Sequence, residues 1–207
     1  MKIVCVSDTH DQHEKVIIPE CDILIHAGDF TCHRVPQIKK YIDFNTWLNK
    51  QPAKYKIVIA GNHDTLCEQH PVLARSLLSN AIYLENGAVS IDGLKFYGSP
   101  HTRFWDNWAF NIKGEAIEDV WKRIPDDTDV LITHMPPYGI RDININGTHA
   151  NGNCGCEYLK RRCFQLNTKL HIFGHIHEGY GQEGKYVNAS QVDEFNNMKN
   201  SPVIINL

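Results

Sequence analysis

Five short apolar runs, IVCVSDTH, ILIHAGDF, KIVIAGNHD, VLITHMPP and LHIFGHIH, each end in a cluster of carboxylate, imidazole or amide side chains. Read as buried strands, they carry Asp8, His10, Asp29, Asn62, His63, Asp64, His134, His175 and His177 to strand ends, where ligands collect in α/β sheets. Carboxylate and imidazole donors with one amide oxygen suit Mn, Fe or Zn. The lack of thiolates among them argues against a structural zinc or an iron–sulfur centre. The pattern points to hydrolytic metal chemistry at one centre assembled from five distant segments.

The clusters differ in what each contributes. Asp8-Thr9-His10 sets a carboxylate and an imidazole two residues apart, so both can turn toward one ion. Gly28-Asp29 puts a carboxylate on a tight turn, and its two oxygens can bridge two cations. Gly61-Asn62-His63-Asp64 supplies an amide oxygen, an imidazole and a second carboxylate in succession, and Gly174-His175-Ile176-His177 sends out two imidazoles around one apolar residue. A lone histidine is usually structural. Five such clusters at five strand ends are not explained by packing.

The elements that must position these residues are read from pattern. Strands are expected at Val4 to Ser7, Ile23 to Ala27, Ile57 to Ala60, Ile82 to Leu84, Val130 to Thr133, Leu170 to Phe173, Tyr186 to Ala189 and Val203 to Asn206. GAVSI and LKFYGS, joined by Asp92-Gly93, read as an antiparallel hairpin. Helices are expected over Pro36 to Asn49, after Pro71, around Ala116 to Arg123 and near Glu157 to Leu166. Pro100 to Asn111, with Phe104, Trp105, Trp108 and Phe110, has no period: it is either a loop packed on the body or an aromatic rim over the site. Gly139 to Gly155 reads as a loop. The economical architecture is one domain over residues 1–207, an α/β fold with two sheets and helices outside them.

At 207 residues, such a domain buries roughly 70% of its unfolded surface. A net charge of −3 gives no electrostatic reason to expect long nucleic acid as a partner, and the one basic run, Lys160 to Arg162, reads as a solvated helix face. Seven cysteines, an odd number, fit a reducing cytoplasm, and Cys154 with Cys156 lacks the second pair of a zinc finger. Cys32 and Cys67 each lie three residues past a site carboxylate. No stretch approaches the ~18 apolar residues of a membrane span. A soluble cytoplasmic protein is expected, with oligomeric state left open.

In order, D-x-H, G-D, G-N-H-D, H and G-H-x-H resemble the signature of the calcineurin-like metallophosphoesterase superfamily. GDFT, YKIVIAGNHD, GSP followed by WAFN, THMPP, FGHIHEGYG and VNAS are similar to its small metallophosphoesterase-domain (MPPED) branch. The resemblance implies a two-sheet α/β/β/α sandwich and two divalent metal ions, Mn first, with Fe, Zn, Mg or Ni as alternatives. Asp8, His10, Asp29 and His177 would hold one ion, and Asp29, Asn62, His134 and His175 the other. A hydroxide shared by the ions would attack phosphorus, with His63 as acid or transition-state stabiliser and Asp64 orienting its ring. Arg141, in GIRD, would clamp a substrate phosphate or pair with Asp142. His175 stands where vertebrate relatives can carry glycine, and His101 where relatives often have tryptophan. The expected partner is a small phosphodiester or nucleotide, a 2′,3′ or 3′,5′ cyclic nucleotide among them. A phosphomonoesterase, a short-oligonucleotide nuclease and a nucleotide-binding regulator with little turnover are the alternatives.

Overall fold

The computed structural model describes residues 1–145 and 152–207. In chain order its elements are β1 (Lys2–Val6), β2 (Cys21–Ala27), α1 (Ile38–Lys50), β3 (Ala53–Ile59), α2 (Thr65–Gln69), α3 (Pro71–Leu77), β4 (Ile82–Tyr83), β5 (Gly87–Ile91) and β6 (Leu94–Ser99). There follow β7 (Thr102–Arg103), β8 (Asn111–Ile112), α4 (Ala116–Trp121), β9 (Val130–Thr133), β10 (Ile143–Asn144) and β11 (Gly152–Asn153). The chain closes with α5 (Glu157–Gln165), β12 (Leu170–Phe173), β13 (Gly181–Glu183), β14 (Tyr186–Asn188) and β15 (Val203–Asn206).

The first sheet has the order β15-β1-β2-β3-β4, parallel except for β15. The second has the order β13-β14-β12-β9-β6-β5, parallel inside and antiparallel at both edges. Strand side chains alternate between faces, and both faces of each sheet's centre are apolar, which is why the central strands read as continuous hydrophobic runs. Ile3, Cys5, Ile25, Ile57 and Ile59 of the first sheet meet Phe96, Val130, Ile132, Ile172 and Val187 of the second. On the outer side of the first sheet, Val4, Val6, Leu24 and Val58 pack on Tyr41, Phe44, Trp47 and Leu66 of α1 and α2. Outside the second, Tyr97 and Leu131 pack on Ile117, Trp121, Leu159 and Cys163 of α4 and α5. The result is four layers, α/β/β/α, as expected.

Asp92 and Gly93 have φ of 47° and 82°, the paired positive angles a two-residue hairpin of this type needs. Two regions differ from their reading as plain loops. Pro100 to Asn111 contributes β7 and the start of its partner β8, and Gly139 to Gly155 contributes the β10–β11 pair. Two-residue strands are too short to show a period. None of the seven cysteines is in a disulfide among the described residues, and Cys156 accepts the Trp121 indole N–H at 3.3 Å. Among the described residues no helix is long and apolar enough to cross a membrane.

His26 hydrogen-bonds Thr9 behind the ligands, and His13 packs on Phe44 and Trp47. His33 pairs with Asp11, His171 bonds the Thr133 hydroxyl, and His70 is exposed. His149, expected at the surface or in packing, lies outside the described residues.

Candidate metal centre

The ligand residues follow the C-terminal ends of β1, β2, β3, β9 and β12, which meet along one edge of the two sheets. Just past these ends the backbone turns sharply. Asp8, His10, Asp29 and His175 have φ of 51°, 42°, 54° and 68°. Each such non-glycine residue costs about 1–3 kcal/mol and persists only where surroundings over-determine it. Here the turns brace one another: the Asp8 amide donates to Gly28 O at 2.9 Å, the His10 amide to Asp29 O at 3.1 Å and the Gly174 amide to His134 O at 3.1 Å. Gly174 is required by close approach, since a Cβ there would lie 2.0 Å from Asp8 Oδ2.

Six of the seven expected ligands fall into two groups, Asp8 with His10 and His177, and Asp29 with His134 and His175, with the ligand atoms of each group within 4.8 Å of one another. The seventh, Asn62, places Oδ1 3.1 Å from His134 Nε2, and Asp29 Oδ2 lies 3.2 Å from the same nitrogen. Asp8 Oδ1 is 3.6 Å from His177 Nε2. The other ring nitrogens face carbonyls: His10 Nδ1 and Thr31 O at 3.2 Å, His134 Nδ1 and Ala27 O at 2.9 Å, His177 Nδ1 and Asp193 O at 3.0 Å. A carbonyl only accepts, so in the neutral form of each ring Nδ1 carries the proton and Nε2 keeps the lone pair. His10 Nε2 and His177 Nε2 then face each other at 3.3 Å. Two lone pairs converge there on space that suits a cation, and the donors fit a divalent metal.

Electrostatics agree. Burial pushes His10 down to about 4, so its imidazole is neutral at physiological pH. Burial would also lower His134, but the Asp29 carboxylate reverses the sign and pushes it up to about 9. His177 is raised in the same way by Asp8, again against burial. Burial raises both carboxyls, yet His177 and His134 beside Asp8, and His134 and His63 beside Asp29, hold them below the usual range. An ion that took His134 as a ligand would therefore displace a proton from it. At pH 7, titrating a divalent metal into the chelated protein should release at least one proton per chain, and affinity should rise with pH until about 9. Indicator-dye or pH-stat titration checks this; no proton release at pH 7 would contradict the pairing.

Residues 1–179 match the calcineurin-like phosphoesterase family. The chain belongs to that family. Human metallophosphoesterase domain-containing protein 1 is 39% identical over 236 residues, covering 100% of this chain and 71% of the human one. A UPF0046 protein of Caenorhabditis elegans is 33% identical over 222 residues, covering 99% of this chain and 74% of that protein. The solved phosphopantetheinyl hydrolase of Mycobacterium tuberculosis superposes with a TM-score of 0.55 at 12% identity, over 91% of this chain and 88% of that one, which is a likeness of fold. The protein is a metal-dependent phosphoesterase that uses divalent metal ions.

Two sequence-based assignments in this calcineurin-like phosphoesterase need correction. Asp64 does not hold the His63 ring. Its carboxylate accepts the amides of Asp29, Thr31 and Gly61 and the Thr31 hydroxyl at 2.8–2.9 Å, while His63 Nδ1 is buried without a hydrogen-bond partner. Asp64 instead ties the β2 turn to the β3 turn. Arg141 neither faces the cleft nor pairs with Asp142. Its guanidinium donates to Tyr180 O, and Asp142 Oδ2 accepts the amides of Gly139 and Gly155.

The His63 ring is held by aromatic packing. Trp108 lies against it with centroids 4.0 Å apart, His10 meets it edge-on at 4.8 Å, and the Arg34 guanidinium covers Trp108 at 3.8 Å while pairing with Asp106 at 2.8 Å. The Ala109 amide donates to Asn62 O at 3.1 Å, anchoring this segment to the ligand turn. Thus Trp108 packs against a residue that lines the cleft. Phe110 is buried against His101, while Phe104 and Trp105 are exposed. Ser190, which donates to Asp8 Oδ2 at 2.7 Å, and Thr31 support the ligands without any sequence pattern to mark them.

Proposed function

We propose that this phosphoesterase holds two divalent cations, Mn in preference, and hydrolyses small phosphodiesters, cyclic nucleotides among them. The observation that carries this reading is the pair of ligand groups opening on a polar cleft of about 140 Å³, whose rim includes Asn144, Glu178, Glu194 and Asn196. Oxygen and imidazole donors suit Mn. The small volume favours a small substrate. No arginine or lysine lines the cleft among the described residues, and its fixed carboxylates disfavour added negative charge. A diester monoanion therefore suits it better than a monoester dianion or a polyanionic strand.

Asp8, His10 and His177 would hold one ion and Asn62, His134 and His175 the other, with Asp29 shared. When bound, the cations would supply Lewis-acid polarisation of the phosphoryl oxygens and an acidified water as nucleophile. His63, partly exposed and with Nε2 3.9 Å from Asp29 Oδ2, donates a proton to the leaving oxygen, and Trp108 fixes its plane. Asn196 offers its amide group to the organic part of the substrate.

Turnover of bis-p-nitrophenyl phosphate and p-nitrophenyl phosphate by the Mn-loaded enzyme tests the reading. The diester should be preferred by about tenfold or more in kcat/KM, ~1.4 kcal/mol. Preference for the monoester would overturn it, and a panel of 2′,3′ and 3′,5′ cyclic nucleotides then ranks natural substrates.

A further inference from the structure

Cys32 belongs to neither ligand group, yet its Sγ and one nitrogen each of His10 and His63 lie within 4.8 Å of one another. The placement follows from the turn after β2. Thr31 is fixed by His10 Nδ1 on its carbonyl and by its hydroxyl's bonds to His63 O and Asp64 Oδ1, and the next residue is Cys32. The thiol is free and partly buried. His63 Nδ1 is buried and, among the described residues, takes no hydrogen bond, so the ring keeps an uncommitted nitrogen.

We propose that Cys32, His10 and His63 form an inhibitory site for a thiophilic divalent cation, Zn2+ or Cd2+. One thiolate with two imidazoles is a donor set these ions accept and Mn or Mg, which favour oxygen, do not. On binding, the Cys32 S–H bond gives its proton to solvent and the sulfur lone pair goes to the ion. No electrons are transferred and no other bond breaks. A neutral imidazole has a single lone-pair nitrogen. The ion therefore draws His10 away from Asp8 and His177 and occupies His63, so turnover stops even though Asp29, His134 and His175 are untouched. The inhibition rests on the phosphoesterase reading above; the binding does not.

Cd2+ is titrated into the Mn-loaded protein and into Cys32→Ala, following the near-ultraviolet thiolate-to-metal absorption, and Zn2+ inhibition of bis-p-nitrophenyl phosphate turnover is measured on both. Cys32→Ser serves as a second variant should the alanine form fold poorly. The wild type is expected to show a stoichiometric absorption rise that the variants lack, since the other six cysteines are common to all. The half-inhibiting Zn2+ concentration should rise about tenfold or more in the variants, with turnover on Mn alone within about twofold. Identical Cd2+ spectra overturn the site. A spectral difference with identical Zn2+ inhibition overturns the inhibitory role. A spectral difference with no turnover in any protein supports the cation site and overturns the phosphodiesterase reading instead.

Discussion

Asp29→Asn is expected to lower kcat/KM more than about a thousandfold, ~4 kcal/mol, on any phosphoester the enzyme cleaves. The Asp29 carboxylate faces two imidazoles and a backbone amide at once. Asp29 Oδ2 lies 3.2 Å from His134 Nε2 and 3.9 Å from His63 Nε2, while Oδ1 accepts the His63 amide at 2.7 Å. The asparagine keeps the volume and can still accept that amide through its carbonyl oxygen, so the turn should survive. The charge is what disappears. Without it, the largest pull opposing burial at His134 is lost, so the value otherwise held up to about 9 falls, and the anionic ligand shared by the two proposed ions is gone. Metal content by mass spectrometry should fall below one equivalent per chain after desalting, while circular dichroism stays native. A variant that retained two ions and more than a tenth of wild-type turnover would show that Asp29 is not the shared ligand.

The clustering of these residues was legible because a strand-end cluster leaves a one-dimensional trace. A parallel strand buried on both faces must be apolar, and a ligand just past its end must be polar, so VLIT before His134 and LHIF before His175 and His177 mark both the element and the site. What was not legible depends on contacts between segments. Asp64 adjoins His63 in sequence, which invites the idea that it orients the ring. The backbone after β3 instead sends the carboxylate under the β2 turn, where three amides and a hydroxyl meet it. Arg141 sits in a segment whose destination is set by Tyr180 O, an acceptor with no sequence signature. Trp108 comes from a stretch without periodicity, and only its meeting with His63 and Arg34 separates it from Phe110, which is buried. The serine that bonds Asp8, Ser190, is one hydroxyl among many until the second sheet places it.

His63→Asn should lower turnover by about a hundredfold or more on a diester with an alkoxide leaving group, and by no more than about tenfold on bis-p-nitrophenyl phosphate. The difference between leaving groups is the point of the prediction. Nitrophenolate departs without a proton, whereas an alkoxide needs one, so only the second substrate should register loss of an acid. Metal content should be unchanged, since His63 is outside both ligand groups. The pH dependence follows in sign. Burial lowers His63 from the ordinary histidine value while Asp29 partly restores it, so the protonated acid is depleted as pH rises. Alkoxide-ester turnover by the wild type should decline on that side, and the decline should vanish in the variant. Because His63 Nδ1 has no hydrogen-bond partner, the ring's orientation depends on Trp108 and His10 packed against it. Trp108→Ala should therefore reproduce the same leaving-group selectivity at about tenfold, with both metals retained. Equal losses on both substrates in both variants would make His63 a packing or electrostatic element and Trp108 a simple wall, and the acid would have to be sought elsewhere.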